Sequence, residues 1–276
     1  MRLKVNGICL NVELAGKGPP LMLLHGFTGC AAGWRPIIER WPHFRTIAVD
    51  IIGHAGSDSP AGPSRYTMQA CADDLAVVLD TLGIEKTALL GYSMGGRVAL
   101  HFALRHQERL RALVLESASP GLSDPAERAA RIRSDEGLAA RIEREGIEVF
   151  VDYWESLPLW DSQRGLPPER RQALRAQRLR NSTTGLANSL RGMGAGAQEP
   201  VFGRLHQLRI PTLFLAGALD TRYVDLARTM ATEVEGAALR VVPGAGHAAH
   251  FEQPDAFSEA TAEFLTRCLR NERVEA

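Results

Sequence analysis

Charge of one sign is missing from this sequence: 32 Lys and Arg residues are balanced by 32 Asp and Glu, leaving no formal net charge on 276 residues. Nucleic acids and anionic membrane surfaces select a basic excess, so neither is expected as a partner. Cysteine is scarce. Cys9, Cys30, Cys71 and Cys268 are scattered without a C-x-x-C pair, which excludes a disulfide framework and a cysteine-held metal. No H-E-x-x-H or paired ligand spacing occurs, and the glycines of residues 91–96 lack the Lys-Ser/Thr ending of a phosphate loop. Neither a metal nor an organic cofactor is therefore expected. No apolar run approaches the roughly 20 residues that span a bilayer, and residues 1–7 are too polar for a secretory leader. The expectation is a cytoplasmic monomer acting on a small molecule.

What is present is an alternation. Residues 3–14, interrupted by Asn6-Gly7, read as a β-hairpin. Short apolar runs at 20–24, 46–49, 88–90 and 113–115 read as strands, and residues 68–82 and 94–105 carry apolar side chains at helical spacing. Near-continuous apolar strands alternating with helices predict an α/β fold with a mostly parallel sheet covered on both faces. Residues 123–200 differ: they are rich in Arg and Glu and helical in period. Strand texture returns at 212–216 and 239–242, and residues 256–269 form a closing helix. The predicted organisation is a core of residues 1–122 and 201–276 with a helical cap of residues 123–200, inserted between the sixth and seventh main strands.

The chemistry is concentrated in three places. Gly91-Tyr92-Ser93-Met94-Gly95 is a G-x-S-x-G between a strand and a helix, the context that makes this pattern a nucleophile elbow. Glycines at 91 and 95 leave room for the sharp turn, and the helix N-terminus favours developing negative charge at Ser93. A serine hydroxyl needs a neighbour to accept its proton. His247, on the glycine-rich turn Pro243-Gly244-Ala245-Gly246 after the last strand, is the histidine placed to do so. Asp220, in the loop after the preceding strand, would orient that imidazole, and the order Ser, Asp, His is the chain order of α/β-hydrolases. Glu116, ending the strand before the cap, is an alternative acid. Asp50 is read as fixing a turn and His250 as a structural or rim histidine. The backbone N–H groups of Met94 and of Phe27, in His25-Gly26-Phe27, are candidates for an oxyanion hole.

Between Arg164 and Arg191 there are seven arginines and one acid, Glu169. Arg171, Arg175 and Arg178 share a helical face at i, i+4 and i+7, and Arg97 lies one turn beyond Ser93. Such arginines can form a solvated helix face; if they converge above the serine they suit a substrate with several carboxylates, because the guanidinium fork takes a carboxylate through two parallel hydrogen bonds.

Nearly the whole chain resembles the α/β-hydrolase-fold synthases of the menaquinone pathway that make 2-succinyl-6-hydroxy-2,4-cyclohexadiene-1-carboxylate (SHCHC; MenH type). The segments 24–29, 91–97 and Gly246-His247 would fit many hydrolases. The specific part is Leu115-Glu116-Ser117-Ala118-Ser119-Pro120-Gly121-Leu122 with Glu127-Arg128, Arg131 and Ser134-Asp135, followed by Phe150-Val151-Asp152-Tyr153-Trp154-Glu155, Pro158-Leu159 and residues 185–194. The resemblance implies a lyase that abstracts a proton with Ser93, Asp220 and His247 and expels pyruvate from a cyclohexene bearing a succinyl arm, a ring carboxylate and an enolpyruvyl ether. It also implies carboxylate binding by Arg97, Arg131 and Arg178, and a pocket lined by Tyr92 and Trp154, with Tyr153 able to take the place of Trp154. Ala55 departs from the usual Gly after His54, which puts that turn's geometry in question. A serine carboxylesterase or a carbon–carbon bond hydrolase using the same three residues is the alternative.

Overall fold

A computed structural model describes residues 1–270. Eight strands form one sheet in the order β1-β2-β4-β3-β5-β6-β7-β8. The first two strands, β1 (Arg2–Val5) and β2 (Ile8–Ala15), make the predicted hairpin. Its turn residues Asn6 and Gly7 both take positive φ, +41° and +89°, which matches the right-handed twist of the two strands. Strand β2 also runs antiparallel to β4 (Arg45–Val49). From β4 onward the sheet is parallel, through β3 (Pro20–Leu24), β5 (Thr87–Tyr92), β6 (Leu110–Glu116), β7 (Thr212–Gly217) and β8 (Ala238–Val242).

Strands β5 and β7 are buried at every position because both faces of the sheet are covered. Met22 and Leu24 join one core with helices α2 (Met68–Thr81) and α3 (Met94–Arg105), while Leu21 and Leu23 join the other. On that second face lie the short α1 (Arg35–Ile38) and the closing α9 (Pro254–Arg270), with Trp34, Trp41 and Phe257 fully buried.

Between β6 and β7 come three helices: α4 (Pro125–Ser156), α5 (Pro168–Leu179) and α6 (Thr183–Met193). Asp124 caps α4 by accepting from the N–H groups of Ala126 and Glu127, and Ser182 caps α6 by accepting from Gly185. Gly146, at φ +84°, breaks α4 into two pieces. Helix α7 (Thr221–Glu233) follows β7, and the one-turn α8 (Ala249–Glu252) follows β8. No described helix is long and apolar enough to cross a membrane.

Helix α6 lies against the core through two glycines two turns apart. A Cβ on Gly185 would stand 2.0 Å from the carbonyl oxygen of Gly53, and one on Gly192 would stand 1.8 Å from that of Tyr66. Backbone meets backbone there, so no side chain can yield. Gly192→Ala should therefore cost about 1–3 kcal/mol or more and lower the melting temperature by several degrees. Gly137, inside α4 with nothing within 4 Å of its missing Cβ, gives the opposite expectation: Gly137→Ala should stabilise by about 0.5–1 kcal/mol. Equal melting temperatures for the two variants would refute this account of how α6 docks.

Three buried histidines are held neutral. Burial is the main cause in each: it lowers His25, takes His54 down to about 3 with His25 adding to the effect, and takes His101 down to about 4. The unfolded chain takes up protons near pH 6.5, where the folded protein does not. The stability these residues contribute is therefore complete above that pH and is lost as pH falls toward 3. The urea midpoint should fall between pH 7 and pH 4, and His54→Asn should flatten the slope.

Candidate active site

Strand β5 delivers Ser93 into a turn that its neighbours make unavoidable. Ser93 has φ +50° and ψ −109°, a region disfavoured for any residue with a Cβ. Its N–H donates to the Glu116 carbonyl at 2.8 Å, and its own carbonyl accepts from Arg97 N–H at 3.0 Å, opening α3. A Cβ on Gly91 would lie 2.3 Å from the Gly95 carbonyl oxygen, and one on Gly95 would lie 2.5 Å from those of Leu24 and His25. Only glycine lets strand, turn and helix pass so closely.

His247 stands on the loop after β8, with its side chain 3% exposed. Its Nε2 accepts from the Ser93 hydroxyl at 2.9 Å, and its Nδ1–H donates to Asp220 Oδ2 at 2.7 Å. Asp220 also caps α7 through the N–H of Tyr223 at 3.4 Å, and the Tyr223 ring packs edge-on to His247 at 4.6 Å. Buried Glu252 grips the loop on either side of the histidine, accepting from the N–H groups of Gly246 and Ala248. The three residues named from sequence are thus in hydrogen-bonding sequence.

The rival residues have other partners. The Glu116 carboxylate, fully buried, accepts from the backbone N–H of His250 at 3.0 Å and from its Nδ1–H at 2.9 Å. The His250 ring stacks on Trp34 at 4.4 Å. Asp50 ties a turn, accepting from Ala31 N–H, Gly56 N–H and Asn11 Nδ2. Ala55 does adopt the left-handed region, at φ +44°, and its N–H donates to Asn181 Oδ1 at 3.1 Å. The same asparagine donates to the Thr28 carbonyl at 2.9 Å, joining the end of α5 to the loop that bears Phe27.

Ser93, Asp220 and His247 open on a cavity of about 250 Å³ that is also lined by Phe27, Tyr92, Met94, Arg97, Arg131 and Trp154. Tyr153 does not line it; its ring lies under the guanidinium of Arg141 at 4.3 Å. Arg97 Nη1 donates to the Met193 carbonyl at 2.7 Å and to Gln198 Oε1 at 2.9 Å, and makes no ion pair among the described residues. Burial lowers its pKa to about 10, so it stays charged at neutral pH. Arg131 pairs with Asp135 at 2.8 Å, and burial raises the pKa of that carboxyl.

Arg178 is not brought together with these two. It pairs with Glu155 at 2.8 Å and stacks over Trp160 at 5.0 Å, and that indole also contacts His247 and Trp154, each at 5.8 Å. Trp160 stands between Arg178 and His247. Arg178 lines a neighbouring cavity of about 340 Å³ with Arg164, Arg171 and Arg175, and a small one of about 50 Å³ with Phe27 and Tyr92. Of the three arginines expected together, Arg97 and Arg131 line the Ser93 cavity, while Arg178 is paired with Glu155 of α4, 23 residues upstream.

Residues not singled out from sequence also line the Ser93 cavity, among them Trp160, Arg222 and Tyr223. The one available signal was that Arg222 and Tyr223 follow two and three positions after Asp220. Among the described residues no cluster of His, Cys, Asp and Glu could hold a metal ion.

A family model for the alpha/beta hydrolase fold matches residues 19–254. A Bacillus subtilis (strain 168) protein that carries the name 2-succinyl-6-hydroxy-2,4-cyclohexadiene-1-carboxylate synthase provisionally is 41% identical over 257 residues, covering 92% of this chain and 94% of its own. The Serratia proteamaculans (strain 568) protein named as that synthase is 33% identical over 248 residues, 90% of this chain and 93% of its own. The solved structure of MenH from S. aureus superimposes with a TM-score of 0.89 at 33% identity, covering 94% of this chain and 98% of that one. The chain therefore belongs to the α/β-hydrolase fold family and, within it, to the SHCHC synthase family of enzymes.

Proposed function

We propose that this enzyme is a carbon–oxygen lyase of menaquinone biosynthesis. It removes pyruvate from 2-succinyl-5-enolpyruvyl-6-hydroxy-3-cyclohexene-1-carboxylate to leave SHCHC. The observation that carries the reading is Arg97: a guanidinium with only neutral acceptors lines the same cavity as the Ser93–His247–Asp220 relay. A charge held in a cavity without a counter-ion suits an anionic ligand, and this substrate carries three carboxylates.

The names of substrate and product define the electron flow. The proton on C2 is acidified by the adjacent succinyl ketone. Ser93 Oγ accepts it while His247 Nε2 takes the hydroxyl proton, so the relay acts as one base. The C2–H pair becomes the C2=C3 bond, the old C3=C4 pair moves to C4=C5, and the C5–O bond breaks. Enolpyruvate leaves and is protonated to pyruvate. Negative charge builds on the ketone oxygen, which the N–H groups of Phe27 and Met94 would receive. Asp220 holds the imidazole in the tautomer with Nδ1–H, leaving Nε2 free to accept. Residues 123–200 serve as a cap over this site and supply Arg131 and Trp154, and we place the enzyme in the cytoplasm.

Ser93→Ala should lower kcat by about 10³-fold or more with an unchanged melting temperature. Asp220→Asn should also be severely impaired, whereas Glu116→Gln should stay within a few-fold, since a glutamine can still accept from His250. Pyruvate release from the cyclohexene substrate is the assay. Covalent acylation of Ser93 with no pyruvate formed would favour the ester or carbon–carbon hydrolase instead.

Arg97→Ala should raise KM or lower kcat/KM by roughly 30-fold or more, the cost of leaving a substrate carboxylate desolvated and unpaired. Arg131→Ala should cost less, roughly tenfold, because Asp135 already shares its charge. Arg171→Ala, an exposed position outside the cavity, should change nothing. Wild-type kinetics for both Arg97→Ala and Arg131→Ala would remove the physical support for a polycarboxylate substrate.

A further inference from the structure

Arg222 is oddly placed for the stability of its own helix. It is the second residue of α7, whose first turn carries no acidic side chain. Helix N-termini favour negative charge, and a cation there works against the dipole. Most arginines of this protein lie on carboxylates: Arg175 on Asp152 and Glu155, Arg191 on Glu136 and Glu143, Arg141 on Glu145. Arg222 has neither an ion pair nor a hydrogen bond among the described residues. It is exposed, yet it lines the Ser93 cavity, two residues from Asp220 and next to the tyrosine that packs on His247.

The charged groups of that cavity are Arg97, Arg131, Arg222, Asp135 and Asp220. Asp135 is taken by Arg131 and Asp220 by His247. Two guanidiniums are left uncompensated, Arg97 within and Arg222 in contact with solvent. A cation that opposes its helix dipole, has no partner in the fold and faces a reaction cavity has its counter-ion in the ligand.

We infer that Arg222 is a substrate-binding residue that takes a carboxylate at the mouth of the Ser93 cavity. This rests on the reading of the substrate as a polycarboxylate. The carboxylate belongs either to the enolpyruvyl group or to the succinyl arm, and the two are separated by testing pyruvate and succinate individually.

The test is steady-state kinetics of Arg222→Gln and Arg222→Lys on the cyclohexene substrate, together with their melting temperatures. Arg222→Gln should raise KM by roughly tenfold or more, the weight of one charge-assisted contact, with kcat within threefold of wild type. Arg222→Lys should recover part of the loss. The melting temperature of Arg222→Gln should equal or exceed that of wild type, an outcome a structural arginine would not give. Calorimetric titration with succinate and with pyruvate should show weaker binding to Arg222→Gln for the ligand whose carboxylate sits there. A KM within twofold of wild type, or a fall in kcat alone, overturns the inference and leaves the lyase reading intact. A wild-type protein that releases no pyruvate overturns the lyase reading. In that case Arg222 is decided by the titrations, and it fails if neither acid binds wild type more tightly than the variant.

Discussion

Ser93 occupies a backbone conformation that costs an ordinary residue about 1–3 kcal/mol, and much of the surrounding structure exists to hold it there. Tyr92 is the last residue of β5, a strand buried along its whole length between β3 and β6. Register with β6 puts the Glu116 carbonyl opposite the Ser93 N–H, so the strained residue makes a ladder-type bond on its way out of the sheet. The Leu24 and His25 carbonyls press against Gly95, and Gly26 lies where a Cβ would stand 2.7 Å from the Tyr92 ring. The serine, the loop that carries Phe27 and the start of α3 are thereby one tightly packed body. A side chain at position 26, 91 or 95 would move all three together.

Around this rigid floor the electrostatics are uneven. The inserted helices look strongly basic over residues 164–191, yet the structure spends most of that charge on ion pairs within the insertion. Exposed pairs of this kind contribute little to stability, with a median near 0–1 kcal/mol each. Their larger consequence is to withdraw those arginines from the cavity. What remains is a small excess at particular points rather than a uniformly positive funnel. A diffuse field attracts any anion, whereas Arg97, held by two hydrogen bonds, and Arg131, shared with Asp135, put positive charge at particular points of the Ser93 cavity.

Strands, helices and the Ser93 turn were legible in the sequence because each rests on local patterns: apolar runs, glycine punctuation, Asn-Gly in the hairpin. Asp220 and His247 were legible because each follows a recognisable strand in a fixed order. Side-chain direction was less accessible. Arg171, Arg175 and Arg178 do share a face, as their spacing predicts, but that face meets Glu155 and a cavity of its own, with Trp160 between it and Ser93. Spacing along one helix says which residues sit together, not which other element they meet. Trp154 and Tyr153 could not be told apart for the same reason, being neighbours on a helix that point to different sides. Arg222 was missed because an isolated arginine at a helix start carries no pattern beyond its nearness to Asp220.

Two carboxylate–imidazole pairs lie at the ends of neighbouring strands, and chain order alone leaves both open as proton relays. Glu116 ends β6 and holds His250; Asp220 follows β7 and holds His247. What separates them is the third contact. The His250 ring is stacked on Trp34 and its backbone N–H is held by the same glutamate, so it is fixed as part of the core. His247 is held by aromatic edges from Tyr223 and Trp160, and the loop beneath it is gripped by Glu252, leaving one ring nitrogen turned to Ser93. Both imidazoles have an acid to orient them, but of the two it is His247 that has a hydroxyl within hydrogen-bonding distance, at the edge of the Ser93 cavity. An acid–base pair becomes a candidate catalytic base when its remaining nitrogen faces a proton that a ligand can exchange, and the Tyr92 ring packs on both histidines, 4.7 Å from His250 and 5.5 Å from His247.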